Sequence, residues 1–211
     1  MLFYRGQAVL TRTEQLSALL NSTSDKHSTL TGRELISQKV SELVVMGGAY
    51  PSGREWNFFD SDPSLTAHAI NSWEGRVVFV GDEVGRDVLS GREFMSHGPE
   101  TDPVRQAYIY YSYFSPRPSW DALAVLYALH GLGELFEFGN EGGYGYNHVE
   151  SDGTNQWVWD ETRRDQNYLR LKVSNVTAAA EIDRLLLKGA RSVDTRVTQI
   201  EPGPGVEWRE L

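Results

Sequence analysis

Two uninterrupted apolar runs, LVVM at residues 43–46 and VVFV at residues 77–80, constrain this chain more than any other feature. A strand with one wet face alternates polar and apolar residues. A run that is apolar at every position is buried on both faces and belongs inside a parallel sheet covered by helices. Between the two runs, Asp62 and Pro63 open a helix whose Leu65, Ala69 and Ile70 supply an apolar face as far as Trp73. Strand, helix and strand with short joins predict βαβ units on an open, mostly parallel sheet of the α/β class, flanked by helices.

The remaining periodicity fills in the layers. Residues 13–20 read as a short helix with Leu16, Leu19 and Leu20 on one face, and residues 32–41 as a second. A short helix runs through Val84, Val88 and Leu89 to Gly91, and longer ones follow Pro103 and begin at Asp121, the latter stopping at Gly131. The aromatic run at residues 108–114 has helical spacing on both faces, so core packing is its expected use. From residue 135 the segments LFEFG, YGYNHV, QWVWD and YLRLKV alternate in character, predicting short strands or hairpins with one wet face. A last helix covers residues 176–188, and the residues beyond Gly189, EPGPG among them, read as a poorly tied tail. No repeat, low-complexity tract or linker marks a cut, so one domain is expected over residues 1–211, with the tail from about residue 190.

Composition narrows the chemistry. The absence of cysteine excludes disulfides, thiolate metal sites and a cysteine nucleophile, leaving oxygen or imidazole donors for any metal. A formal net charge of −9 without a basic patch argues against nucleic acid as a partner. No apolar stretch reaches the roughly 18 residues of a membrane span, and no basic segment leads into an apolar one at the start, so a cytoplasmic protein is expected. The five histidines show no paired-ligand spacing.

The most informative stretch is residues 44–63, VVMGGAYPSGREWNFFDSDP, because a glycine-rich turn directly after a buried strand is where open α/β sheets place their ligands. Glu55 and Asn57 sit two apart, so in an extended loop they point the same way and offer an acceptor and an amide to a vicinal diol. Taken alone, Arg54, Glu55 and Asn57 read as ordinary loop solvation. Asp121 at a helix start has a structural use as well, stabilising the helix dipole by about 0.3–1 kcal/mol. The glycine-rich stretch at residues 139–147 lacks the lysine of a phosphate loop; it reads as a flexible loop whose Tyr144, Tyr146 and Asn147 can stack on or hydrogen-bond a nucleobase.

In order and spacing, the strand ending in VMGGA, the Glu55-Trp56-Asn57 element, the Asp62-Pro63 helix start, the VVFVG strand, the helix in RPSWDALAVLY and the NVTAAAEIDRLL helix resemble the C-terminal part of inosine/uridine-preferring nucleoside hydrolases. The resemblance runs from about residue 16 to residue 188. It implies a nucleoside hydrolase sheet and hydrolysis of the N-glycosidic bond of a small ribonucleoside to ribose and free base. It also implies ribose binding by Glu55 and Asn57 and calcium as cofactor, ligated by Asp121 and by the backbone carbonyl of Glu14.

Several departures accompany it. Trp120 stands where many relatives place a histidine as leaving-group acid, and an indole donates no proton usefully at neutral pH. The loop between Gly48 and Glu55 is short and has no asparagine to match another ribose ligand, and Thr13, Glu14 and Gln15 stand in place of a Leu-Thr-Asn turn. The aspartate cluster D-x-D-x-x-x-D-D, which in the family supplies most metal ligands and the water-activating base, has no counterpart before Thr13. One carboxylate at Asp121 does not hold calcium tightly. A second reading is therefore a catalytically inactive, truncated or degenerate paralogue, kept as a nucleoside- or sugar-binding module. With the family's N-terminal strands missing, LVVM or VVFVG is expected to expose a strand edge and favour association with a second copy, unless residues 2–5 or 7–10 supply a substitute strand.

Overall fold

The computed structural model describes residues 2–4, 6–10 and 13–197. Its main sheet has six strands: β1 (Leu2–Tyr4), β2 (Gln7–Leu10), β3 (Glu42–Met46), β5 (Val77–Val80), β8 (Phe136–Phe138) and β11 (Gln166–Leu171), in the order β1-β2-β3-β5-β11-β8. The two apolar runs are adjacent and parallel, with Val44 opposite Val78 and Met46 opposite Val80. Every residue of both strands is buried, as runs without alternation require. The fold is thus mixed α/β with a mostly parallel sheet: β2, β3, β5 and β11 run parallel, while β1 and β8 are antiparallel at the two edges.

The edge of β3 is not bare. Residues 7–10 lie parallel to it, with Val9 opposite Val44, and residues 2–4 fold back on β2. At the other side, β11 comes from the YLRLKV stretch. Alternation placed that stretch in a half-wet hairpin, yet it lies beside β5, with Tyr168 opposite Phe79. Only Gln166 and Leu169 are buried in it, one on each face, so it is an inner strand by hydrogen bonding and only partly covered by packing.

On one face, Leu43, Val45, Val77 and Phe79 join Leu16 and Leu20 of α1 (Glu14–Leu20), Ile36 of α2 (Gly32–Lys39), and Ala69 and Ile70 of α4 (Pro63–Asn71) in one apolar cluster. Helices α2 and α4 are both capped by side chains at their starts. The Thr31 side chain accepts from Glu34 N while Glu34 accepts from Thr31 N, and Asp62 accepts from Ser64 N and Leu65 N ahead of Pro63. The alternate residues Val44, Met46, Val78 and Val80 point to the opposite face, which α8 (Trp120–His130) crosses with Leu123 and Ala124 fully buried. A small antiparallel sheet packs at the strand ends, with β10 (Thr154–Val158) between β4 (Ser52–Arg54) and β9 (Tyr146–Val149). Two one-turn helices, α3 (Trp56–Phe59) and α5 (Asp82–Gly85), follow β4 and β5.

The chain divides into two compact units, Met1–Val88 with Pro118–Ala178, and Leu89–Arg117 with Ala179–Leu211. The second contains β6 (Leu89–Ser90), α6 (Arg92–His97), α7 (Pro103–Ser112) and most of α9 (Asn175–Val197); β7 (Arg117–Pro118) falls at the division. Within it, the buried Asp183 of α9 accepts from Gly91 N at 2.6 Å and Glu93 N at 3.1 Å, closing the start of α6 from a distant part of the sequence. The aromatic run does not pack in a core. Tyr110, Tyr111, Tyr113 and Phe114 are 78%, 72%, 86% and 69% exposed, because a helix with rings on every side covers only those facing a partner, as with the half-buried Tyr108 against Phe94. Helix α9 continues past Gly189 to Val197, so the first part of the expected tail is helical, and residues 198–211, with EPGPG, lie outside the described residues. Among the described residues, no helix is long and apolar enough to cross a membrane.

Candidate functional site

β3 is followed by Gly47 and Gly48 and β5 by Gly81 and Asp82, and these ends frame a cavity of about 490 Å³. Met46, Glu55, Asn57, Asp82, Trp120 and Asp121 line it, with Arg54, Trp56 and Phe59 at one side. All belong to the first unit. Three residues singled out in the sequence, Glu55, Asn57 and Asp121, therefore meet at one cavity at the carboxyl end of the parallel strands.

Glu55 and Asn57 do not sit in an extended loop. Glu55 is the N-cap of α3, with extended backbone (φ −114°, ψ 147°), and Asn57 lies inside that turn. Both Glu55 oxygens accept from Asn57 N at 3.0 Å, and Oε2 also accepts from Gly48 N at 3.1 Å. These bonds explain how a carboxylate only 7% exposed is tolerated, and they leave lone pairs on both oxygens for a further donor. Burial pushes the Glu55 carboxyl above its ordinary value; the N–H groups of Asn57 and Gly48 oppose that shift, and the neighbouring charge of Asp121 adds to it. Asn57 donates through Nδ2 to Met46 Sδ at 2.8 Å, which fixes the amide and leaves its oxygen as the free end.

Close packing of glycines makes this geometry achievable. A Cβ on Gly47 would fall 2.4 Å from Phe58 Cε1, and Gly48 has φ +78°, a conformation that favours glycine. On the other wall, a Cβ on Gly85 would meet the Trp120 Cα at 2.6 Å; its absence lets Gly85 O accept from Ser119 N at 3.1 Å and seats the start of α8 against α5. Trp120 then donates from Nε1 to Asp82 O at 3.0 Å, so its indole is a fixed wall of the cavity with its N–H already used. Asp121, the second residue of α8, is exposed at the rim, yet enough protein surrounds it that burial holds its carboxyl above the ordinary range. Trp56, 59% exposed, offers a second indole face and meets Phe59 edge-on at 5.4 Å, while the Arg54 guanidinium lies 4.0 Å over the Phe59 ring.

Asp82 was not singled out in the sequence. The signal was present, since VVFV-Gly81 repeats the buried strand followed by glycine that marked Gly47 and Gly48, and Asp82 is the first polar residue after it. Asp82 is ion-paired with Arg86. Other candidates lie elsewhere. Tyr144 stacks under Arg164 and meets Trp159, Tyr146 lies under Arg163, and Asn147 is buried, so none of the three lines this cavity. His68 bonds Ser17 Oγ at 2.8 Å, but that serine is 1% exposed and joins α1 to α4 rather than facing a ligand. Glu14 is the first residue of α1, a position whose carbonyl points along the helix to accept an intrahelical bond.

The carboxylates on this rim are those of Glu55, Asp82 and Asp121. Among the described residues no three aspartate, glutamate or histidine side chains converge to hold a metal. Asp82 is held by Arg86 and Glu55 is partly engaged by backbone N–H groups. A hard divalent ion needs about six to eight oxygens to replace its water. What the arrangement can do is grip hydroxyl groups between Glu55, the Asn57 oxygen and Asp121, with indole faces beside them. No family model matches the chain, and no curated protein matches it significantly.

Proposed function

We propose that this chain is a nucleoside hydrolase-like protein that takes a ribonucleoside into the cavity between α3 and the start of α8. The observation that carries the reading is the convergence of Glu55, Asn57 and Asp121, from two distant stretches of sequence, on one cavity at the carboxyl end of a parallel sheet. Glu55 and the Asn57 oxygen accept from neighbouring ribose hydroxyls, and Asp121 from a third or from water. The faces of Trp120 and Trp56 hold the base by stacking, which suits a wall whose indole N–H is already engaged by Asp82 O. The reaction implied by the resemblance is attack of water at C1′ with departure of the base through an oxocarbenium-like transition state. Here Glu55 and Asp121 bear the negative charge that favours such a cation, and stacking on Trp120 orients the leaving base.

A second reading, binding without turnover, is favoured by one observation: both Glu55 oxygens are committed to backbone N–H groups, so that carboxylate orients ligands better than it removes protons. Calorimetry with inosine, uridine and ribose, with and without calcium, combined with chromatography for released base, separates the two. Binding with base release supports hydrolysis, and binding alone supports the module. No binding of any of the three, in either condition, overturns both.

A further inference from the structure

We infer that Asn155, on β10 and outside the cavity, is the positioning residue that sets the carboxylate of Glu55; the inference rests on the ribosyl-binding reading for its functional consequence and on geometry for the rest. Three successive N–H groups after β3 are each held by a side chain from a different element. Gly48 N donates to Glu55 Oε2 at 3.1 Å, Ala49 N to Asn155 Oδ1 at 2.9 Å, and Tyr50 N to Glu83 Oε2 at 3.2 Å. Only Asn155 grips both ends of its residue, because its Nδ2 also donates to Ala49 O at 3.0 Å. It is 1% exposed and is itself steadied by Asn147, whose Oδ1 accepts from the same Nδ2 at 3.1 Å.

The clamp acts at the neck of a short loop. A Cβ on Gly53 would lie 2.7 Å from the Ala49 Cβ, so the loop at residues 49–53 is closed on itself, and in the ladder Asn155 stands opposite that same Gly53. One residue therefore fixes Ala49 with its side chain and faces the far end of the loop with its backbone. Glu55 follows two residues later, and the Gly48 N–H that orients it precedes Ala49 by one. The carbonyl of Gly48 accepts from Asp82 N at 2.9 Å, so the same residue also ties in the other acidic wall of the cavity. Releasing Ala49 frees Gly48 to leave a left-handed conformation that two bonds now hold, and Glu55 loses its fixed direction.

The molecule contains its own control. Asn71, in α4, makes the same clamp on Val149, donating to its carbonyl at 2.8 Å and accepting from its N–H at 3.0 Å, and it does not line the cavity. The experiment compares Asn155→Ala, the milder Asn155→Ser, and Asn71→Ala in the full chain. Inosine and ribose affinity is measured by calorimetry, and amide hydrogen exchange at Gly48 and Asn57, the two donors to Glu55, is measured without ligand. The expected result is affinity weakened about tenfold or more in both Asn155 variants and nearly unchanged in Asn71→Ala. Exchange at Gly48 and Asn57 accelerates only in the Asn155 variants. Unchanged exchange at both amides in Asn155→Ala and Asn155→Ser, or equal acceleration in Asn71→Ala, overturns the positioning role. If the wild-type chain binds neither probe while exchange responds as expected, the positioning role stands and the ribosyl-binding reading falls.

Discussion

Gly47→Ala is the smallest change that tests whether the cavity wall depends on packing. Gly47 follows β3 directly, and its φ lies outside the left-handed region, so alanine meets no backbone penalty there and the whole effect is steric. The added Cβ would lie 2.4 Å from Phe58 Cε1 and 2.8 Å from Cδ1. Carbon atoms rest at about 3.5–4.0 Å, so the shortfall exceeds 1 Å by that measure. Phe58 is 1% exposed and sits in α3 between Asn57 and the core, so it has no free direction in which to yield. Overpacking of this kind costs about 1–3 kcal/mol. For a chain of this length each kcal/mol lowers Tm by about 2–4 °C. Urea titration and thermal melting by circular dichroism give the value. Adding Phe58→Leu removes the ring edge that the methyl would strike, so the double variant is expected to be more stable than the sum of the single effects by about 1 kcal/mol or more. If Gly47→Ala melts like the wild type, or its effect simply adds to that of Phe58→Leu, the close approach of β3 to α3 is not what shapes this wall.

Three further outcomes are expected. Asp183→Ala leaves the Gly91 and Glu93 N–H groups without their acceptor and lowers stability by about 1–3 kcal/mol, read by denaturation and by faster proteolysis within residues 89–117. Thr31→Ala removes one half of the capping box of α2 and costs about 1 kcal/mol, with inosine affinity unchanged. Because burial raises the Glu55 carboxyl in the fold, its contribution to stability is complete below its unfolded value and is lost as pH rises through the raised one. Stability of Glu55→Gln measured against the wild type should therefore move in the variant's favour as pH rises above the ordinary glutamate range, and an opposite drift would mean that the backbone N–H groups outweigh burial.

The layers of the fold were legible where the physics is local. Runs apolar at every position gave β3 and β5, and the Asp62-Pro63 signal gave a helix start that the structure caps. What escaped depends on distant partners. β11 alternates like a surface strand, and only the presence of β5 on one side and β8 on the other makes it internal. The aromatic residues of α7 have core composition, but whether a ring is buried is decided by the element opposite, not by spacing. At the site, it was the resemblance that singled out Glu55, Asn57 and Asp121 together, and the three line one cavity. The turn that makes Glu55 an N-cap, and the grip of Asn155 on Ala49, join positions far apart in sequence and leave no local pattern.

The most direct test of the central claim is calorimetric titration of the wild-type chain, Glu55→Gln and Asp121→Asn with inosine and with ribose at fixed salt. The account predicts that both compounds bind the wild type at one site, inosine more tightly than ribose because the base adds contact with Trp120 and Trp56, and that each substitution weakens both ligands by about tenfold or more. Equal affinity of all three proteins for inosine and ribose, or no heat of binding from the wild type, would contradict it.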